Sequence, residues 1–323
     1  MTNVFITIDT EYSYALAARK RPASREENFA RSISCETPDG PAGLTYKLDM
    51  FDRHGLKAVF FVDPMPALIY GVEAIADIVG PAVERGHDVQ LHVHTEWLAL
   101  AGAGNPLAGR TGHNIKDFAF EEQCTLLDRA RDMLMAAGAP RPVALRAGNY
   151  GANDDTLRAL AELGFTHDTS HCPGIADGHC AISLGPEDRH PVEHCGVVEV
   201  PVGCIGTFGK DLRHAQITAL SAWEMLAALE FASEEKVRNF TFVSHSFELL
   251  CRKRRRINRL VRKRFEKLCA GIAALDGVRT ATYAESAPGP LDLAEPRPVL
   301  PLSEVRSGLR VVEQAVVNAM YGA

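Results

Sequence analysis

The chain has 323 residues, 46% of them hydrophobic and 24% charged, and a formal net charge of −6. That composition supports a packed core and excludes a disordered chain, a collagen and a disulfide mini-protein. No stretch approaches the roughly 18 uninterrupted apolar residues of a membrane span, and the start lacks the basic segment and apolar run of a secretory signal, so a cytoplasmic location is expected.

Val4-Phe5-Ile6-Thr7-Ile8 is a β-branched and aromatic run that ends in polar residues, the pattern of a buried strand whose C-terminal end opens into a site. Residues 12–43 are polar and rich in Ser, Arg, Pro and Gly, a long insertion of the kind that often covers sites. A helix carrying Leu44, Leu48 and Phe51 should stop at Gly55. A second strand at 58–62, a helix from about Pro66 to Arg85 and a third strand from Asp88 to His94 begin a βαβ alternation. After a glycine-rich loop come a helix from Asp117 as N-cap to Gly138 as its C′ residue, a strand at 143–146, and a helix capped by Asn153 that ends near Gly164. Further strands are expected at 165–170, 197–202, 240–245 and 278–283, with helices near 218–233 and 252–275. Such alternation implies a mainly parallel sheet, open or closed. Five prolines from Pro288 to Pro301 mark a surface arm before a last helix from about Ser303, which divides the chain into a unit at 1–287 and an extension at 288–323.

Polar residues able to bind a metal or move protons sit where several strands end: Asp9 and Glu11 after the first, His92 and His94 on the third, Arg146 on the fourth and His245 on a later one. In parallel α/β folds the C-terminal strand ends carry the active site. Taken in order, these residues resemble the polysaccharide deacetylases of carbohydrate esterase family 4, over most of the chain. The family's T-F-D-D-G motif is similar to Thr7-Ile8-Asp9-Thr10-Glu11, with the second acid displaced by one position. Its G-H-E-[IV]-G lead and H-[ST]-x-x-H motif resemble residues 86–96, where the first His is kept as His92, the second falls on Glu96, and an additional His94 lies between. R-x-P-[YFW] is similar to Arg146-Ala147-Gly148-Asn149-Tyr150 with one extra residue, and L-x-H resembles Phe242-Val243-Ser244-His245.

The resemblance implies a distorted (β/α)7–8 TIM-like barrel and a metal-dependent hydrolase of carbon–nitrogen bonds that removes the N-acetyl group of an amino sugar in a glycan or glycan precursor. One divalent ion would be held by a carboxylate and two imidazoles, a set that suits zinc and tolerates cobalt, nickel or manganese. Side chains two apart on a strand share a face, so Glu11, His92 and His94 are the expected ligands. Glu96 is the substitute if His94 turns away, and one of the histidines would then serve only as a hydrogen-bond partner. Asp9 would accept the proton of the attacking water and Arg146 would keep Asp9 charged. The resemblance assigns oxyanion binding to the backbone N–H of Tyr150 and protonation of the leaving amine to His245. Asp168 either orients His245 or is a structural acid at a strand end. The altered motifs also fit a catalytically silent barrel that binds glycan or metal, or a hydrolase of another small amide.

Segment 251–268 holds ten Lys/Arg against Glu266. Its apolar residues Ile257, Leu260, Val261, Phe265 and Leu268 recur at helical spacing, so the basic residues of 252–264 should face outward. They make either a solvated face or a patch attracted to an anionic membrane or a lipid-diphosphate glycan. No nucleic acid is expected as a partner, since no stacking aromatics accompany the arginines. His167, His171-Cys172, His179-Cys180, His190 and His194-Cys195 are either a second set of metal ligands, without zinc-knuckle spacing, or a loop lining the first site. The eight cysteines form no C-x-x-C pair and read as free thiols.

Overall fold

The first strand organises the fold. β1 (Thr2–Thr10) is buried along nearly its whole length and pairs in parallel on both sides. The computed structural model describes residues 1–175, 178–209, 211–251, 255–292 and 295–321. Eight further strands join β1 in one sheet: β2 (Val59–Val62), β3 (Asp88–Val93), β4 (Ala144–Ala147), β5 (His167–Asp168), β6 (Val192–His194), β7 (Val197–Glu199), β8 (Asn239–His245) and β9 (Val278–Thr280). The order is β8-β1-β2-β3-β4-β5-β7-β6, with β9 beside the start of β1. Every pairing is parallel except β6 with β7, a hairpin whose two turn residues, Cys195 and Gly196, both have positive φ (51° and 89°), as the primed hairpin turns require.

The sheet curls into a half-barrel, and residues 203–206 and 211–217 lie beyond β7, with Gly203, Ala215 and Ile217 bonded to β8. Gly203 N–H donates to Thr241 O at 3.0 Å, Val243 N–H to Ala215 O at 2.9 Å and Ile217 N–H to Val243 O at 3.2 Å. Outside lie the helices α1 (Leu44–His54), α2 (Val72–Glu84), α3 (Phe120–Ala136), α4 (Asp154–Glu162), α5 (Ala222–Glu234) and α6 (Arg259–Ala274). Their starts and stops follow local chemistry. Gly55 ends α1 in the left-handed region (φ 63°), where a residue without Cβ is unstrained. Asn153 accepts from Thr156 N–H at the head of α4, satisfying one orphan donor. Strand alternation then sorts the core. Val4, Ile6 and Ile8 join the large outer cluster beneath the helices, while Phe5 joins an inner cluster with Val59, Phe61, Ala144, Val200, Ala281 and Tyr283.

Several expected boundaries move. The helix placed at 66–85 is split at Gly71 into a single turn, Ala67–Tyr70, and α2. Asp117 instead ends a short 3-10 turn capped by Asn114, its side chain accepting from Asn114 N–H, and α3 begins three residues later with Glu122 accepting from Ala119 N–H at 2.9 Å. The insertion at 12–43 contains two short helices, Tyr14–Ala17 and Arg25–Ser32, and a small hairpin. It is tied to the end of β8 where Ser246 Oγ donates to Ser32 O at 2.7 Å.

The expected helix at 252–275 begins only at Arg259, after an antiparallel pair between Leu250–Cys251 and Arg256–Ile257. Arg252, Lys253 and Arg254 lie outside the described residues. Nor does every basic residue face outward. Arg264 is buried and donates to Glu313 Oε2 at 2.8 Å, because the last helix, α7 (Glu304–Tyr321), packs over it. Arg262 lies over the Tyr46 ring and pairs with Glu266 at 2.9 Å. α7 turns Ser307, Arg310 and Val317 inward and leaves Val305, Leu309, Val312 and Val316 exposed. All eight cysteines are free thiols.

Candidate metal centre and active site

The inner phase of the strands collects the site. Thr7 and Asp9 share the inner side of β1 with Phe5, and Glu11 follows in the same phase just beyond its end. On β3, Val89, Leu91 and Val93 belong to the outer layer, which leaves His92 inward and His94 next in phase. Arg146 pairs with His92 in register, and His245 pairs with Asp9. Residues far apart in sequence thus meet at the C-terminal mouth of the half-barrel.

Glu11, His92 and His94 converge. Glu11 Oε2 lies 2.5 Å from His94 Nε2 and 3.5 Å from His92 Nε2, and the three ligand atoms fall within 4.8 Å of one another. The other nitrogen of each ring is already engaged: His92 Nδ1 sits 2.6 Å from Arg146 O, and His94 Nδ1 sits 3.0 Å from Glu96 Oε2. With those acceptors taking the Nδ1 protons, both Nε2 atoms face the Glu11 carboxylate, and their lone pairs become available when a cation displaces the proton shared there. This is how outer acceptors preset histidine ligands for a metal, and a carboxylate with two imidazoles is an open divalent-metal set. The residues fit the group. Electrostatics agrees with the geometry. Burial alone would raise Glu11 and lower His94, but their mutual attraction and hydrogen bonds outweigh it, holding Glu11 well below and His94 well above their ordinary values. Glu96, the alternative ligand, stands behind His94 and orients it.

Gly148 explains the close approach. A Cβ there would lie 2.7–2.8 Å from three atoms of the His94 ring, so a glycine within the lengthened third motif makes room for the additional histidine. Asn149 and Tyr150 both take positive φ (57° and 56°) in the tight turn that follows.

Asp9 is held between two partners. Arg146 is fully buried, with Nη1 2.7 Å from Asp9 Oδ1 and 2.7 Å from Thr7 Oγ1, and its guanidinium carbon lies 4.5 Å from the Phe61 ring centre. On the other side His245 Nε2 is 3.8 Å from Asp9 Oδ2. His245 Nδ1 meets Glu248 Oε1 at 3.1 Å. Burial works against a charged His245, yet the Glu248 hydrogen bond and charge, with Asp9 and Glu11 beyond, push it up to about 9.

The acid that orients His245 is therefore Glu248 and not Asp168. Asp168 pairs in register with Leu145, an outer-layer residue, and so turns away from the mouth. There it accepts from Ser170 N–H and Oγ and lies beside Glu199, which burial and the neighbouring Asp168 carboxyl push well above its usual range. Glu248 follows His245 by three residues through a turn, a relation outside strand periodicity. Behind it, Ser244 Oγ donates to Glu248 Oε2 at 2.9 Å and buried Lys47 Nζ to Ser244 Oγ at 2.8 Å, with burial lowering Lys47 to about 8. Asp63, directly after β2, is a further buried carboxyl near the histidines, pushed by burial up to about 7. Both were missed as isolated charges beside apolar runs.

The second collection of His and Cys disperses. His171 Nε2 meets Gly185 O and His167 Nε2 meets Pro288 O, each at 3.0 Å. Among the described residues, His194 and Cys195 alone of this set join a metal-like group, with Asp154, whose carboxylate is also taken by Ser183.

A solved protein from Mycobacterium smegmatis, described as a polysaccharide deacetylase, superposes on 91% of this chain and 94% of its own with a TM-score of 0.58 at 18% identity. The fold is that of the polysaccharide deacetylases. A family 4 carbohydrate esterase from Streptomyces lividans in complex with acetate matches more loosely, with TM-score 0.44 and 12% identity over 89% of this chain and 98% of its own. The Bc1960 peptidoglycan N-acetylglucosamine deacetylase gives the same TM-score and identity, over 89% of each chain. No family model matches the chain, and neither does any curated protein.

Proposed function

We propose that this chain is a metal-dependent hydrolase of amide bonds that removes the N-acetyl group from an amino sugar in a glycan or glycan precursor. The observation that carries the reading is the convergence of Glu11, His92 and His94 beside Asp9, itself held between Arg146 and His245 at the mouth of a deacetylase-type barrel. Glu11, His92 and His94 would hold one divalent cation, zinc by donor chemistry with cobalt, nickel and manganese as substitutes. When bound, the cation polarises the acetyl carbonyl and acidifies water.

The protein's own residues supply the proton transfers. Amide hydrolysis requires a proton removed from water and one delivered to a departing amine. Asp9, fixed by Arg146 Nη1, which Thr7 Oγ1 holds in turn, accepts the first at the oxygen that faces His245. His245, charged through Glu248, delivers the second from Nε2. The backbone N–H of Tyr150 steadies the oxygen of the tetrahedral centre, and the sugar skeleton is left intact.

Residues 1–287 are the catalytic unit in this reading, and 288–323 an extension that docks on it. Free thiols at all eight cysteines favour a reducing, cytoplasmic compartment, and no helix among the described residues is long and apolar enough to cross a membrane. A weak contact of exposed Arg255, Arg256, Arg259 and Lys263 with an anionic membrane or a lipid-diphosphate glycan belongs to the same reading. The test is acetate release from N-acetylglucosamine oligomers. Asp9→Asn should lower kcat by roughly 10²–10⁴-fold with metal binding retained, and turnover by Asp9→Asn equal to wild type would overturn the proposal.

A further inference from the structure

Among the described residues, Asp63 is a buried acid at the mouth that the roles above leave unused. Residues Thr10, Val62 and Leu91 stand side by side in β1, β2 and β3. One residue further along, the same register sets Asp63 between Glu11 and His92, in the inward phase of Phe61. Asp63 is completely buried. Its Oδ1 accepts from Met65 N–H at 3.0 Å and, at 3.4 Å, from His94 N–H. Its Oδ2 is buried and meets no hydrogen-bond partner among the described residues.

Such an oxygen needs an explanation. Leaving a buried acceptor unpaired is costly, and more so when it is charged. Capping Met65 N–H does not require a carboxylate, since Ser or Asn fills that role without charge. What a carboxylate adds is a second oxygen and a negative charge, at a register position between Glu11 and His92 and close enough for both imidazoles and Glu11 to act on it. The tight group of ligand atoms within 4.8 Å contains Glu11, His92 and His94 but not Asp63, which places Asp63 outside the inner set.

We propose that Asp63 is an outer carboxylate of the metal site, its Oδ2 accepting a hydrogen bond from water carried by the cation that Glu11, His92 and His94 hold. The inference rests on the metal-dependent reading above. Asp63 is then a positioning residue that adds a second negative charge against a doubly charged ion and holds a water molecule in place.

Calorimetric titration of metal-free protein with cobalt(II) tests it, alongside melting temperatures with and without the ion. Asp63→Asn keeps the shape and the oxygen that caps Met65 while removing the charge. Cobalt should bind Asp63→Asn roughly 10–100-fold more weakly than wild type, whereas the metal-free variant should melt no lower than metal-free wild type, having lost an unpaired buried charge. Equal cobalt affinity, or a metal-free variant destabilised as much as the loaded one, would leave Asp63 a purely structural residue and overturn the inference alone. Wild type that takes up no cobalt would overturn the metal-dependent reading, and this inference with it. If Asp63→Asn does not fold, a structure of cobalt-loaded wild type decides. A water on the ion within about 3 Å of Asp63 Oδ2 supports the assignment, and an Oδ2 that faces no such water overturns it.

Discussion

His245 takes its charge from what lies behind it. Glu248 at 3.1 Å overcomes the burial that would otherwise discharge the ring and pushes it up to about 9. A raised histidine stays protonated below that pH and loses its proton above it, so a step that uses His245 as an acid fails on the alkaline side. The basic limb of kcat should fall near pH 9 in wild type, and in Glu248→Gln it should move toward the roughly 6.5 of an ordinary imidazole. A limb that stays put in Glu248→Gln would remove His245 from the role of acid. By the same linkage, the stability contributed by the raised His245 is complete below its unfolded value and is lost as pH rises through 9, while that of the lowered Glu248 is lost as pH falls through its folded value. Gly148 offers an independent check. Gly148→Ala would press a methyl group into the His94 ring and should weaken metal affinity roughly tenfold or more, read by titration, and unchanged affinity would show that His94 is not a ligand. Among single residues, the convergence of Glu11, His92 and His94 was legible because a strand repeats every two residues. Lys47 was legible in principle, since it shares a helix stripe with Leu44, Leu48 and Phe51, but a charge in an apolar stripe reads as an interruption until its partner is seen.

At the scale of elements, long apolar strands and capped helices were readable, and short pieces were not. β5 has only two residues, so its phase, and with it the direction of Asp168, depended on pairing with β4 rather than on any alternation of its own. α6 was read as outward and basic, yet Arg264 is drawn inward by Glu313 of α7, a partner 49 residues away that no local pattern announces. α7 inverts the usual sorting: Arg310 is buried against Glu224 at 3.1 Å while Val305, Val311, Val312 and Val316 face solvent. Removing one member of a buried ion pair leaves the other uncompensated, at a cost of about 3–5 kcal/mol. Arg310→Met should therefore lower stability by about 3 kcal/mol, measured from the denaturant midpoint, and expose the extension to proteolysis, with activity per folded molecule retained. A change below about 0.5 kcal/mol would mean that α7 is not docked in this way.

For the whole molecule, alternation of strands and helices foretold a parallel sheet, but not how far it closes. Gly203, Ala215 and Ile217 join β8 through scattered backbone bonds rather than a continuous ladder, and such contacts leave no periodic trace in a sequence. The site itself was largely legible because it samples the ends of many strands, each of which announces its own inward phase. The proximity of Glu11 and the two imidazoles links metal, fold and chemistry, since a ligand that binds only the folded state stabilises it by mass action. The most direct measurement is a reconstitution titration: protein stripped by chelator, increments of zinc or cobalt added back, and acetate release from N-acetylglucosamine oligomers followed at each step. Activity should be absent in the stripped protein, rise linearly and level off at one equivalent, and fail to return in a His92→Ala, His94→Ala double variant. Full activity in the stripped protein, or recovery by the double variant, would contradict the account.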